Sequence, residues 1–287
     1  MSVSAESAME VFGTATEENQ ISRFRVMQTI HLPPDAEVWM TGDLHDHRRN
    51  LDKLIRAADL GNHPDRHLVL HELIHGDHYD AAGAEDSWIT LHRAAELKCD
   101  FPDQVHFLLA NHDLAQILGE GISKNGVSVC EAFTAGLRRD FGQTPYHRVS
   151  VAITEFLLSL PLAVRTPGGL FFSHSLPTDE QMPTYDFGVF DRPLTGDDYK
   201  RRTGPAYQLI WGRNISPAAV DQFLQNVKAT TVVTGHQPQE MGFDINGEHH
   251  LIIASEHSQG VYLPVETSTA YTAPELAERL VKFVAIE

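Results

Sequence analysis

The sequence predicts an α/β fold, on three observations: short β-rich runs alternate with helix-period segments, a cluster of Gly, Asp, His or Asn follows each run, and the clusters are evenly spaced. Val38-Trp39-Met40-Thr41 runs into Gly42-Asp43-Leu44-His45, His67 to Leu73 into His75-Gly76-Asp77, and Val105 to Leu109 into Ala110-Asn111-His112-Asp113. Asp43 and Asp77 stand 34 residues apart, as do Asp77 and Asn111, a spacing that suits successive βαβ units. Between the first two runs, Leu51, Leu54, Ile55 and Ala58 form an i, i+3, i+4, i+7 stripe that is expected to close at Gly61. Trp88, Leu91, Ala95 and Leu97 form the next stripe. Parallel strands joined in this way bring their carboxyl ends to one edge, where open α/β sheets bind ligands.

The flanking elements follow by the same reasoning. Residues 1–20 are polar and small and are expected to be a flexible tail. Phe24 to Ile30 reads as a strand ended by Pro33-Pro34. Helices are expected over Val129 to Asp140 and Arg148 to Leu158. Leu162 to Arg165 and Leu170 to Phe172, joined by Thr166-Pro167-Gly168-Gly169, read as a hairpin that delivers His174. Residues 176–212, rich in Pro, Asp, Gly and aromatics, read as an irregular insertion that walls a substrate site. Ser216-Pro217 is an N-cap and N1 pair, Thr230 to Thr234 a strand that delivers His236, Leu251 to Ala254 another strand, and Thr272 to Glu275 a capping box. With no internal repeat or linker, residues 21–287 are expected to form a single domain.

Composition limits the function. The 287 residues carry 22 Lys plus Arg, 39 Asp plus Glu and 17 His, for a formal charge of −17. An acidic chain without a basic run disfavours nucleic-acid and anionic-membrane partners. Cys99 and Cys130 form no CxxC pair, and the N-terminus lacks a basic and apolar leader, so a soluble cytoplasmic protein is expected. Oligomeric state is not legible.

The strand-end residues supply the chemistry. Asp43 and His45, two apart in an extended segment, face one way and can share a cation. Asp77, on the adjacent predicted strand, has oxygens for two cations, and Asn111, His174 and His236 add neutral donors. Mixed oxygen and nitrogen donors suit Mn²⁺ best, with Fe or Zn²⁺ as alternatives, and Ca²⁺ least. Two such ions leave a net positive hole for a phosphate. His47, His71, His75, His78, His249, His250 and His257 read as surface or internally satisfied residues.

These blocks resemble the calcineurin-like metallophosphoesterases, in particular the phosphoprotein phosphatase branch with its bacterial serine/threonine phosphatase and diadenosine tetraphosphatase-like relatives. The family pattern GD-x-HG, GD-x-x-D-RG, GNH-E/D, HGG and GH is matched in order by Gly42-Asp43-Leu44-His45-Asp46, Gly76-Asp77-His78-Tyr79-Asp80-Ala81, Ala110-Asn111-His112-Asp113, Ser173-His174-Ser175 and Gly235-His236-Gln237-Pro238. The resemblance implies a central β-sandwich of mixed sheets flanked by α-helices. It also implies two divalent ions, one on Asp43, His45 and Asp77, the other on Asp77, Asn111, His174 and His236. His112, oriented by Asp80, becomes the general acid. The implied activity is hydrolysis of phosphomonoesters, phosphoprotein or small, by in-line attack of a dimetal-bridging hydroxide. The alternatives are a nucleotide or dinucleoside polyphosphate hydrolase and a non-catalytic metal- or phosphate-binding protein. Pro238 stands where the nuclease-like branch has a further histidine. Asp46 and Ser175 replace glycines, and Ala81 replaces a phosphate-binding arginine, a duty for which Arg213 and Arg48 are the candidates.

Overall fold

Successive strand residues point to opposite faces, and here both faces are apolar, so every central strand contributes to two cores. The structure, a computed structural model, describes residues 3–119, 122–124 and 126–286. Its elements begin with α1 (Ala5–Ile21), β1 (Arg25–Val26), β2 (Thr29–His31), β3 (Glu37–Asp43), α2 (Arg48–Ala58), β4 (Arg66–His71), α3 (Trp88–Asp100), β5 (Val105–Leu108) and α4 (Asn111–Leu118). A ribbon of β6 (Ser123–Lys124) and β7 (Val127–Ser128) leads to α5 (Val129–Phe141), α6 (Pro145–Leu158), β8 (Ala163–Arg165) and β9 (Leu170–Phe172). The chain continues through α7 (Pro205–Trp211), α8 (Pro217–Val227), β10 (Thr231–Thr234), β11 (Phe243–Ile245), β12 (His250–Ile253), β13 (Val261–Glu266), α9 (Ala273–Ala277) and β14 (Val281–Lys282).

The strands form a seven-stranded sheet in the order β1-β2-β8-β9-β10-β12-β11 and a five-stranded sheet in the order β14-β13-β3-β4-β5. Both are mixed. β3, β4 and β5 run parallel with β13 antiparallel to β3, and β9, β10 and β12 run parallel between antiparallel neighbours β8 and β11. Val38, Met40, Val69, Leu108, Leu170, Phe172, Val233 and Ile253 pack between the two sheets. Their sequence neighbours Trp39, Leu68, Leu70, Phe107, Phe171 and Val232 face outward into the helical layers. The expected α/β sandwich flanked by helices is therefore the architecture.

The N-terminal residues depart from expectation. Residues 5–21 form α1, capped by Ser4, whose side chain accepts the Ser7 N–H. Ala8, Phe12 and Ala15 are wholly buried, with Phe12 against Phe156 of α6 and His92 of α3. A stripe of small residues lets this helix approach closely, which a reading of average polarity misses. Three further corrections are local. Phe24 to Ile30 turns at Met27, φ 50°, into two short strands. The left-handed cap of α2 is Asp59, φ 43°, rather than Gly61. The second parallel strand stops at His71 rather than Leu73. Residues 176–212 contain two 3-10 turns and α7. The hairpin, both caps, and the helices and strands after Val129 stand where expected, within a few residues.

Candidate functional site

The carboxyl ends of the parallel strands in both sheets converge on one cluster of donors. A bridge from Asp43, the last residue of β3, to Ala254 joins the sheets here. The approach requires glycine. A Cβ on Gly42 would lie 2.1 Å from the Ile253 carbonyl oxygen, and one on Gly235 would lie 2.3 Å from Asp43 Oδ1. With both bare, the His236 N–H donates to Asp43 Oδ1 at 2.9 Å. His45, Glu72 and His236 all adopt left-handed backbone, φ 40°, 50° and 66°, which costs about 1–3 kcal/mol each and concentrates at functional sites.

Four donors meet at the centre. His174 Nε2 lies 2.7 Å from Asn111 Oδ1, 3.1 Å from His236 Nδ1 and 3.1 Å from Glu72 Oε2, and His236 Nδ1 lies 2.9 Å from Asn111 Oδ1. Donors at right angles on a sphere of about 2.1 Å radius are about 3.0 Å apart, so these separations suit one shared divalent cation. Beside them His45, Glu72 and His112 bring ligand atoms within 4.8 Å of one another, as do Asp43, His71 and His174. His45 Nδ1 lies 3.0 Å from the Ile74 carbonyl oxygen, to which it can only donate, so Nε2 keeps its lone pair for a ligand. Burial holds His174 well below the ordinary imidazole range and His71 and His236 near 3, which keeps all three neutral as metal ligation requires. Burial, reinforced by Glu256, pushes the Asp43 carboxyl up to about 8 against the His236 N–H and Arg213. Buried carboxylates among neutral imidazoles make a donor set that fits divalent cations.

Of the predicted site residues, the structure brings together Asp43, His45, Asn111, His112, His174 and His236. It does not bring Asp77 or Asp80. Because β4 ends at His71, the carboxylate at the strand end is Glu72, 1% exposed, and Asp77 lies five residues further on, exposed. The turn is fixed from outside, since the Glu72 carbonyl accepts the N–H groups of both Leu44 and His45. Asp80 is exposed and accepts from the N–H groups of Ala82 and Ala84 and from Arg139. In this register the pattern's second carboxylate falls on His75, whose Nδ1 lies 3.0 Å from His112 Nδ1. His71 also packs against the cluster, its Nδ1 3.3 Å from His174 Nδ1.

The two candidate arginines separate. Arg213 Nε lies 3.1 Å from His236 Nε2, which places its guanidinium on the rim of the cluster. Ser175 ties that segment down by donating to the Gly212 carbonyl at 2.6 Å. Arg48 is spent elsewhere. Its fork grips Asp46 at 2.9 and 3.1 Å and Asp86 at 2.5 Å, and Asp46, also bonded by Thr90, is buried. Beside the cluster lies a groove of about 290 Å³ lined by Leu114, Leu118, Ile122, Arg201, Tyr207 and Trp211. Trp211 stacks on Tyr207 and packs T-shaped against His236, so α7 lines the groove beside the cluster. Among the described residues no helix is long and apolar enough to cross a membrane.

The calcineurin-like phosphoesterase family matches residues 36–240. No curated protein matches the chain. Among solved structures, a protein serine/threonine phosphatase from Saccharomyces cerevisiae is similar with a TM-score of 0.67 and 16% identity, over 91% of this chain and 82% of that one. A cold-active protein-tyrosine phosphatase from a psychrophilic Shewanella species is similar with a TM-score of 0.53 and 14% identity, over 88% of this chain and 80% of that one. At such identity these likenesses speak for the fold.

Proposed function

This chain belongs to the calcineurin-like phosphoesterase family, and from that premise we propose that it is a dinuclear metal-dependent phosphatase acting on phosphomonoesters. The observation that carries the proposal is the convergence of Glu72, Asn111, His174 and His236 within 2.7–3.1 Å contacts, with Asp43 and His45 alongside. One ion is assigned to Glu72, Asn111, His174 and His236, the other to Asp43, His45 and Glu72, and Mn²⁺ suits the mixed donors best. Bound there, the ions supply Lewis acidity and lower the pKa of a water nucleophile.

The chain's own residues do the rest. Arg213 offers a planar fork that matches phosphoryl oxygens. His112, held by its Nδ1, keeps Nε2 for the proton that the leaving oxygen takes. Glu72 supports both ion positions and also accepts the His112 backbone N–H at 3.2 Å, linking the donors to the acid. The Trp211 and Tyr207 wall receives the leaving group.

The stacked pair Tyr207 and Trp211 favours a second reading, hydrolysis of a nucleotide or dinucleoside polyphosphate whose base lies on that wall. Purified protein with Mn²⁺ is expected to cleave p-nitrophenyl phosphate and a phosphopeptide, and His112→Asn to slow it. Faster turnover of diadenosine tetraphosphate than of phosphopeptide selects the second reading. Bound metal without turnover of any substrate selects a non-catalytic binding protein.

A further inference from the structure

The group against Nδ1 of His112 is an imidazole, itself in contact with an amide. His75 is wholly buried. Its backbone, φ 62°, donates to Ser87 Oγ at 3.0 Å, and Ser87 is in turn held by Glu85. Its ring meets Phe133 edge-on at 5.7 Å. Its Nε2 lies 3.0 Å from Gln116 Oε1 and its Nδ1 lies 3.0 Å from His112 Nδ1. An amide oxygen only accepts, so the His75 proton is on Nε2. A neutral imidazole then has a lone pair at Nδ1, and His112 must donate its Nδ1–H there. Gln116 sits four residues beyond His112 on α4, so one helix carries both the acid and the anchor of its partner.

We propose that His75, anchored by Gln116, is a positioning residue that fixes the ring plane and tautomer of His112 so that Nε2 is the nitrogen that serves the leaving oxygen. The proposal rests on the phosphatase reading above. In the cleavage the ester P–O bond breaks with its electron pair going to oxygen, and that oxygen takes the Nε2 proton. Phosphorus gains an oxygen from water, and the water proton restores the ring, while Nδ1–H stays on His112 throughout. A neutral partner performs this duty without adding a further buried carboxylate next to Glu72 and Asp43.

The test is leaving-group dependence, which a merely structural role would not move. Full-length protein with Mn²⁺ is assayed on p-nitrophenyl phosphate, whose leaving group needs little protonation, and on phenyl phosphate and a phosphoserine peptide, whose leaving groups need more. Gln116→Met and His75→Phe are expected to lower kcat on the poorer leaving groups by about 100-fold, and on p-nitrophenyl phosphate by less than about 5-fold, with KM and bound metal unchanged. Gln116→Glu, which keeps the acceptor oxygen, is expected to retain kcat. Adding His75→Phe to His112→Ala should cost nothing further, because both remove one unit. Gln116 lies on a partly exposed helix face, so its variants report even where His75→Phe folds poorly. Equal losses on all substrates, or none, overturn the proposal and leave the phosphatase reading standing. A wild-type protein that cleaves none of them overturns both.

Discussion

Replacing Glu72 by Gln keeps the side chain's volume and the Oε1 that accepts the His112 N–H, and removes only the charge. Glu72 belongs to both donor groups, lying 3.1 Å from His174 Nε2 in one and sharing the other with His45. Removing an outer-shell partner of a metal ligand costs 10–100-fold in affinity, so losing the ligand itself should cost at least about 100-fold. At a Mn²⁺ concentration about 100 times the wild-type dissociation constant, binding stabilises the native state by about 2.7 kcal/mol, and a hundredfold weaker variant keeps about 0.4 kcal/mol. For a chain of this size about 1 kcal/mol moves the melting midpoint by about 2–4 °C, so Mn²⁺ should raise wild type by about 5–10 °C and Glu72→Gln by about 1 °C. Without metal, Glu72→Gln should melt no lower than wild type, because it relieves a buried charge. Scanning fluorimetry of chelator-treated protein titrated with Mn²⁺ reads both numbers, and exposed Asp77→Asn should match wild type throughout. A full Mn²⁺ shift in Glu72→Gln, or its loss in Asp77→Asn, refutes the placement of the ligand at Glu72.

Other perturbations test other parts. Arg213→Ala should raise KM for phosphoesters and weaken phosphate inhibition by about 10-fold, the worth of a charge-assisted hydrogen bond. Arg48→Ala should leave KM alone and lower the melting midpoint, because Asp46 loses its partner; steady-state kinetics and melting curves separate the two. Phe12→Ala should destabilise by about 3–5 kcal/mol in urea titration, since α1 packs as part of the fold. Acid should weaken the fold through His67, buried against His106 at 3.0 Å. Burial lowers its imidazole to about 4, so above about pH 6.5 neither state binds the proton and nothing is lost. As pH falls from about 6.5 to about 4 only the unfolded chain takes the proton up, and stability should drop by about 3 kcal/mol, read as a falling urea midpoint.

What the sequence revealed and what it concealed have physical causes. Asp43, His45, Asn111, His174 and His236 were legible because each follows an apolar run directly and sits at or just past a strand end. Glu72 was not, because Leu68-Val69-Leu70-His71-Glu72-Leu73-Ile74 reads as one apolar run with a charge inside it. The strand ends there in a left-handed turn at Glu72, whose carbonyl accepts the N–H groups of Leu44 and His45 just past β3. A signal was present, since a carboxylate within a buried run needs a partner or an ion. His71-Glu72-Leu73-Ile74-His75 even spells the helical zinc-binding HExxH pattern, but a helix is required to put its two histidines on one face, and here Glu72 and His75 are left-handed turn residues. Gly76-Asp77 imitated the family's second block by composition alone. The order of α1 was encoded in Ala5, Ala8, Phe12 and Ala15, a stripe too weakly hydrophobic to stand out before its partners α3 and α6 are known.

The measurement that bears most directly on the account is an anomalous difference map from crystals grown with Mn²⁺ and phosphate. The account predicts one peak bounded by Glu72, Asn111, His174 and His236 and a second bounded by Asp43, His45 and Glu72, with phosphate reached by Arg213. A peak ligated by Asp77, or no Mn²⁺ among these donors at saturating concentration, contradicts it.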